Sequence, residues 1–129
     1  MRRILHWTLD DPFDLERFLS AQNPVYDSVR AELAGGRKTG HWMWFIFPQL
    51  RGLGHSAMAH KYGISSQQEA EAYLKHPILG PRLVECTRLV RLANLIFEYP
   101  DDLKFTSSIE LFATASRAIG RYDGEFVVG

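Results

Sequence analysis

Residues 81–97, PRLVECTRLVRLANLIF, form the stretch of sequence that decides the fold class of this chain. Apolar side chains recur along it over one wide face, while charged side chains recur at threefold spacing, at positions 82, 85, 88 and 91. This spacing is typical of an amphipathic helix with one buried and one solvated face. The pattern therefore predicts a long central helix over residues 81–97.

Helix signals also occur before this stretch. The Asp-Pro pair at 11–12 and the Asn-Pro pair at 23–24 each combine a capping side chain with a Pro that fits the first helical turn. The Gly-Gly pair at 35–36 ends the second of these helices. Ser56 and Ser65 are predicted to cap two more helices, which end near positions 62 and 74.

After the central helix, Ser107 or Ser108 opens a last helix that Gly120 ends. The chain thus contains about six predicted helices and no convincing pair of strands. The predicted fold class is all-α, a small multihelical single domain over residues 1–129. Only the segment 41–50 is left open by this pattern, because it could be a short extended piece.

The segment 41–50, HWMWFIFPQL, contains two Trp and two Phe within ten residues. Basic residues border it, with Arg37 and Lys38 before it and Arg51 after it, and glycines accompany them. An apolar wall between flexible basic loops is typical of a ligand pocket, and also of a buried turn. Both interpretations remain open from the sequence.

Composition narrows the class of protein. The 15 basic and 15 acidic residues cancel, which disfavours nucleic acid and membrane surfaces as partners. Cys86 is the single cysteine, so no disulfide forms within the chain and a reducing compartment, the cytoplasm, is predicted. No stretch approaches the ~18 consecutive apolar residues of a membrane span.

Four stretches carry a resemblance to a known family: DPFDLERFLSAQ, GRKTGHWMWFIFPQLRGLGHS, EAEAYLKHPILGPRL and DDLKFTSSIELFA. They resemble the bacterial family of domain of unknown function 1810, often mislabelled calpastatin, from about Asp11 to Ala113. The resemblance implies a small helical domain in the bacterial cytoplasm without an established reaction. Members usually continue with a further helical segment, which residues 121–129 do not resemble.

Two histidines are candidate catalytic residues, since neutral imidazole exchanges a proton near neutral pH. His41 begins the aromatic segment, and an alternative is that its ring only packs beside Trp42. His76 precedes Pro77, and an alternative is that it only ends a helix, because Pro disfavours helical geometry at the residue before it.

Further side chains suit an anionic or nucleotide-like ligand. Lys38 and Arg82 would clamp a phosphate or carboxylate, with Arg82 near a predicted helix start. Trp42 and Trp44 offer faces for stacking a ring. Gln49 and Ser56 add an amide and a hydroxyl. No metal site is predicted, because His55 and His60 lie on different helix faces and Cys86 has no partner cysteine; no cofactor is identified.

Two functional hypotheses follow. The first is a pocket for a phosphorylated or nucleotide-like metabolite, with or without catalysis by His41 or His76. The second is an interaction module without catalysis, in which the exposed part of residues 41–50 binds a protein partner or a second copy of the chain in a homo-oligomer.

Overall fold

The structure, a computed structural model, describes residues 11–127. Within that range the chain forms seven α-helices and no strand, which confirms the predicted all-α fold class. One isolated bridge joins Leu50 to Ile64. In chain order the helices are α1 (Glu16–Gln22), α2 (Tyr26–Ala34), α3 (Met43–Ile46), α4 (Ala57–Tyr62), α5 (Gln67–Lys75), α6 (Leu79–Ala93) and α7 (Asp101–Ile119).

The helices pack around one hydrophobic core. α5 packs along α7 and α6, α6 also packs along α2, and the short α3 contacts α1, α4 and α7. Tyr73 of α5 lies at the centre, with its ring centroid 5.1 Å from Phe18 of α1 and 5.2 Å from Phe112 of α7. All three rings are fully buried, so aromatic packing joins the first, fifth and last helices.

Serine caps determine where α4 and α5 begin. Ser56 Oγ accepts a hydrogen bond from the Ala59 backbone N–H at 3.0 Å, which confirms the predicted start of α4. Ser66, and not Ser65 as predicted, caps α5 by accepting from the Glu69 N–H at 3.2 Å. Ser65 instead donates its hydroxyl to the Glu69 carboxylate at 2.7 Å, so its side chain does not cap the helix.

The central helix is displaced from its predicted bounds. α6 begins at Leu79, so Pro81 lies within the first turn, where a missing N–H costs nothing. It ends at Ala93 because Asn94 adopts the left-handed conformation at φ 52°. The apolar residues 95–97 that extended the predicted helix therefore belong to the connection to α7.

The last helix begins earlier than predicted. α7 begins at Asp101, ahead of Ser107 and Ser108, and its first turn contains two aspartates. Acidic side chains stabilise a helix N-terminus through the dipole and the free N–H groups. The pair Asp101-Asp102 was the signal that the serine-based prediction missed.

The first two helices also differ in detail from their predicted caps. The Asp11 carboxylate accepts hydrogen bonds from the backbone N–H groups of Leu15, at 2.8 Å, and Glu16, at 3.1 Å. The predicted acidic cap therefore acts on the start of α1. Asn23 does not cap α2, which begins at Tyr26 without a side-chain cap.

The aromatic segment forms a helical turn and is largely buried, so the extended alternative is wrong. Its interior is in the core, and only its end residues His41 and Leu50 are exposed. The exposed part of the segment, on which the interaction hypothesis depends, is therefore limited mainly to its two ends, and that hypothesis stays a prediction. The buried hydrophobic side chains are Trp42, Met43, Phe45, Ile46 and Phe47.

Residues 121–127 pack against the core without forming a further helix. Phe126 is buried, with its ring centroid 6.2 Å from that of Phe112. Glu125 accepts a hydrogen bond from Arg88 Nε at 3.0 Å, which ties this segment to α6. None of the helices in residues 11–127 has the length and apolarity that crossing a membrane requires.

Candidate functional site

The predicted site residues do not form one pocket in the described structure. They fall into three regions: the loop before α3 with the start of α7, the loop before α4, and the corner between α5 and α6. Long-range packing builds the first and third regions, which join segments distant in sequence, whereas the second is lined by residues between positions 51 and 65.

Lys38 lies in the first region and is already paired. Its Nζ is 3.0 Å from Asp101 Oδ2 and 5.3 Å from the centroid of the Trp42 ring. Asp101 also lies 3.7 Å from Lys104 Nζ, and Lys104 covers the half-buried Trp44 ring at 4.1 Å. Lys38 and Lys104 therefore lie against the two Trp rings that the sequence analysis proposed as stacking faces for a ligand.

Trp42 and His41 are neighbours with opposite surroundings. Trp42 is buried, its ring packs near Phe47 and Phe97, and its Nε1–H donates to Glu32 Oε1 at 3.0 Å. His41 is exposed in the preceding loop and lines none of the clefts described below. Its proposed catalytic role remains a prediction.

Ser56 lies in the second region, beside a basic cleft of about 700 Å³ in the loop before α4. Arg51, His55 and His60 also line this cleft, and among residues 11–127 no carboxylate does. Gln49 is close to Gly54, which lines the cleft. If Gly54 carried a Cβ, that atom would lie 3.9 Å from Gln49 Nε2. The Ser56 hydroxyl is engaged as the cap of α4.

Arg82 is tied into a buried polar network. Its Nη1 donates to Gln22 Oε1 at 3.2 Å, and its guanidinium carbon lies 4.5 Å from the centroid of the Tyr26 ring. Gln22, which is 1% exposed, donates in turn to the Phe45 carbonyl at 2.7 Å and to the Tyr73 hydroxyl at 3.0 Å. The hydrogen bonds of this network connect α1, α3, α5 and α6, and Gln22 was not among the residues predicted from the sequence.

His76 lines a mostly apolar cleft of about 590 Å³ between the start of α1 and the end of α5, which we call the α1–α5 cleft. This volume is typical of small-molecule sites. Its polar side chains are two carboxylates and the imidazole. The lining residues are Asp11, Pro12, Phe13, Leu15, Glu16, Leu19, Ala72, His76, Pro77 and Ile78.

The imidazole of His76 is held by the backbone that follows it. Its Nδ1 accepts hydrogen bonds from the N–H groups of Ile78, at 3.1 Å, and Leu79, at 3.2 Å. Burial lowers the pKa of His76, and Arg82 lowers it further, against the opposing charges of Asp11 and Glu16. The ring therefore favours its neutral form.

Sequence reasoning found one residue of this cleft, His76, and missed the acidic and aromatic ones. Asp11 and Phe13 belong to the segment DPFDLE, which was interpreted as a helix start and as part of the family resemblance, and not as part of a site. The sequence gives no sign that these residues lie beside His76, because the start of α1 and the end of α5 are brought together only by tertiary packing.

Metal and thiol chemistry find little support in the described residues. No group of three or more His, Cys, Asp or Glu side chains in residues 11–127 is arranged to hold a metal ion. Cys86 is buried in α6, and burial raises the pKa of its thiol to about 12. The thiolate is therefore strongly disfavoured.

The sequence matches the family described as "Protein of unknown function (DUF1810)" over residues 12–124, which is most of the chain. The chain belongs to this family. The match extends beyond position 113, so it includes the irregular segment after α7 as far as residue 124. The family description names no reaction or ligand.

A solved structure supports the same conclusion. The chain is similar to the conserved hypothetical protein Rv1873 from Mycobacterium tuberculosis, with 59% sequence identity and a TM-score of 0.84. The similarity covers 91% of this chain and 84% of that one. No functionally curated protein matches the chain.

Proposed function

We propose that this protein binds a small molecule in the α1–α5 cleft, with His76 as the main polar contact. The observation that carries this proposal is the combination of an apolar cleft of about 590 Å³ with one imidazole of perturbed pKa at its wall. Apolar pockets with few convergent polar groups and a perturbed titratable residue are the usual form of a binding site.

The side chains that line the cleft indicate the chemical class of the ligand. Phe13, Leu15, Leu19 and Ile78 would contact an apolar body, and each Å² of apolar surface removed from water contributes about 25 cal/mol. No arginine or lysine lines the cleft among residues 11–127, whereas two carboxylates do. An uncharged ligand is therefore favoured over a phosphorylated one at this position.

A phosphorylated or nucleotide-like metabolite has a second candidate position, the basic cleft before α4. The observation in its favour is charge, because Arg51, His55 and His60 line the cleft and the part of the chain that the structure describes adds no carboxylate to it. Arg51 is partly engaged, since its Nε donates to the His60 carbonyl at 3.1 Å. Binding there would require Arg51 to direct its remaining N–H groups at the anion.

A thermal-shift screen distinguishes the two positions. The panel contains nucleotides, ADP-ribose, NAD and sugar phosphates, together with uncharged aryl ketones and amides. Compounds that raise the melting temperature are then titrated into 15N-labelled protein. The proposal predicts that uncharged aryl compounds perturb the amide signals of Ala72 and Ile78.

Two variants, each with one aliphatic residue replaced by serine, serve as test and control in this screen. Ile78→Ser changes the wall of the α1–α5 cleft, whereas Leu103→Ser changes α7, and the two side chains are similarly exposed at 44% and 56%. Only Ile78→Ser should weaken binding. Shifts by phosphorylated compounds that vanish in Arg51→Gln would assign the ligand to the basic cleft instead, and equal effects of both serine variants would reject the α1–α5 cleft.

A further inference from the structure

The backbone at the start of α6 determines which nitrogen of His76 carries the proton. Nδ1 accepts from two N–H groups, those of Ile78 and Leu79, at 3.1 and 3.2 Å. A ring nitrogen accepts only through its lone pair, so Nδ1 is unprotonated and the proton of the neutral ring lies on Nε2. The hydrogen bonds that His76 makes within residues 11–127 use its Nδ1, its backbone N–H and its carbonyl, and none of them uses Nε2.

We propose that the Nε2–H of His76 donates a hydrogen bond to the carbonyl oxygen of an uncharged ligand in the α1–α5 cleft. This inference rests on the proposed function and adds the chemical class of the ligand. It also changes the role of His76 from a proton-transfer group to a fixed donor that polarises a carbonyl.

The surroundings of His76 oppose its protonation. In the protonated ring, Nδ1 would carry a hydrogen that faces the backbone N–H groups of Ile78 and Leu79. Nδ1 could then no longer accept hydrogen bonds from them. Arg82 on α6 disfavours a second positive charge, while Asp11 and Glu16 on the α1 side favour it. The Asp11 carboxylate is partly satisfied by the N–H groups of Leu15 and Glu16.

The cleft also selects for a carbonyl over an anion. A phosphate or carboxylate at Nε2 would lie near the carboxylates of Asp11 and Glu16, which line the same cleft. A carbonyl oxygen accepts the same hydrogen bond without a full charge. Enzymes use this arrangement, a neutral imidazole beside a helix N-terminus, to polarise carbonyl groups.

The tautomer is tested first and without any ligand. Long-range 1H–15N spectra of the full chain report the protonation of each ring nitrogen as the pH changes. The proposal predicts that His76 is the neutral Nε2–H tautomer at pH 7 and that its pKa lies below the ordinary value of an imidazole, because the ring is partly buried. A protonated ring at pH 7, or an Nδ1–H tautomer, would overturn it.

The ligand class is tested with a matched pair of probes, acetophenone and ethylbenzene, which share a carbon skeleton and differ at the carbonyl. Acetophenone should bind about threefold to tenfold more tightly, the ratio expected for one neutral hydrogen bond. This ratio should fall to about one in His76→Asn, whose shorter amide still accepts from the helix N-terminus.

The outcomes separate the two proposals. Equal binding of both probes at the cleft would retain the proposed function and overturn the role of the Nε2–H. If neither probe perturbs the cleft signals, both the ligand class and the proposed cleft function are rejected, while the pH titration still decides the tautomer. Circular dichroism of His76→Asn confirms that the variant is folded.

Discussion

The carboxylate of Glu32, on α2, holds the indole of Trp42, ten residues later, through a hydrogen bond of 3.0 Å from Nε1 to Oε1. The same oxygen accepts from the backbone N–H groups of Thr39, at 2.7 Å, and Gly40, at 2.9 Å. One side chain thus organises the loop between α2 and α3. The hydrogen bond to Glu32 holds the Trp42 ring in the core and away from solvent.

Replacing Glu32 by Gln should lower the free energy of unfolding by about 1–2 kcal/mol at pH 7, because hydrogen bonds to a charged acceptor are stronger than those to an amide. Burial raises the pKa of Glu32, but the N–H groups of Gly40, Thr39 and Trp42 lower it more, so the net direction is downward.

The pH dependence of this effect follows from the sign of that shift. A carboxylate with a lowered folded-state pKa stabilises the protein above its unfolded pKa of about 4.3, and this stability is lost as the pH falls through the folded pKa. Urea unfolding of parent and Glu32→Gln at several pH values measures it. The difference between them should shrink below about pH 4, and a constant difference would contradict the assignment.

Replacing Glu69 by Gln should destabilise the fold by about 2–4 kcal/mol, because it leaves a buried guanidinium without its counter-ion. Glu69 Oε2 lies 2.7 Å from Arg17 Nη2, and the two side chains are only 2% and 10% exposed. Chemical denaturation measures the loss. The exposed Glu110→Gln is the control, and an equally small change in both variants would show that the buried pair is not needed.

Replacing Gly80 by Ala should destabilise the protein by about 1–3 kcal/mol through overpacking. An added Cβ would overlap the Leu74 carbonyl group, whose carbon would be 3.0 Å away, and would lie 3.2 Å from Tyr122 Oη. In an open helix the same change would stabilise by about 1 kcal/mol, so the sign is diagnostic. Gly35→Ala, with its nearest atom at 3.3 Å, is the milder control.

Replacing Ser108 by Ala should raise the free energy of unfolding by about 0.5–1.5 kcal/mol, because the buried Ser108 Oγ has no hydrogen-bond partner within residues 11–127. Ser116→Ala, on the same helix, is the matched control. Its hydroxyl donates to the Arg121 carbonyl, so its removal should destabilise. A loss of equal size in both variants would mean that Ser108 is also hydrogen-bonded.

Local signals in the sequence predicted local features of the fold. Ser56 caps α4 as expected because a cap depends only on a side chain and the next three residues. The start of α6 was less predictable, since Gly80 and Pro81 usually mark a boundary. Here Gly80 lies inside the helix because only a residue without Cβ allows α6 to approach the end of α5.

The candidate site depended on contacts that no local pattern contains. Lys38 was expected to face a ligand, but it forms an ion pair with Asp101 at the start of α7, which is distant in sequence. Conversely, His76 was identified correctly as a helix end, while its partners in the cleft come from α1 and its preceding loop. Sequence analysis identified residue types suited to binding, and tertiary packing decided which of them share a cleft.

Intermolecular nuclear Overhauser effects between acetophenone and the protein test most directly whether the α1–α5 cleft binds an uncharged carbonyl compound. We predict contacts from the methyl and ring protons of the ligand to the side chains of Leu19 and Ile78, together with a shift of the His76 Nε2–H signal. Contacts only to residues outside the cleft, or none at saturating ligand, would contradict this account.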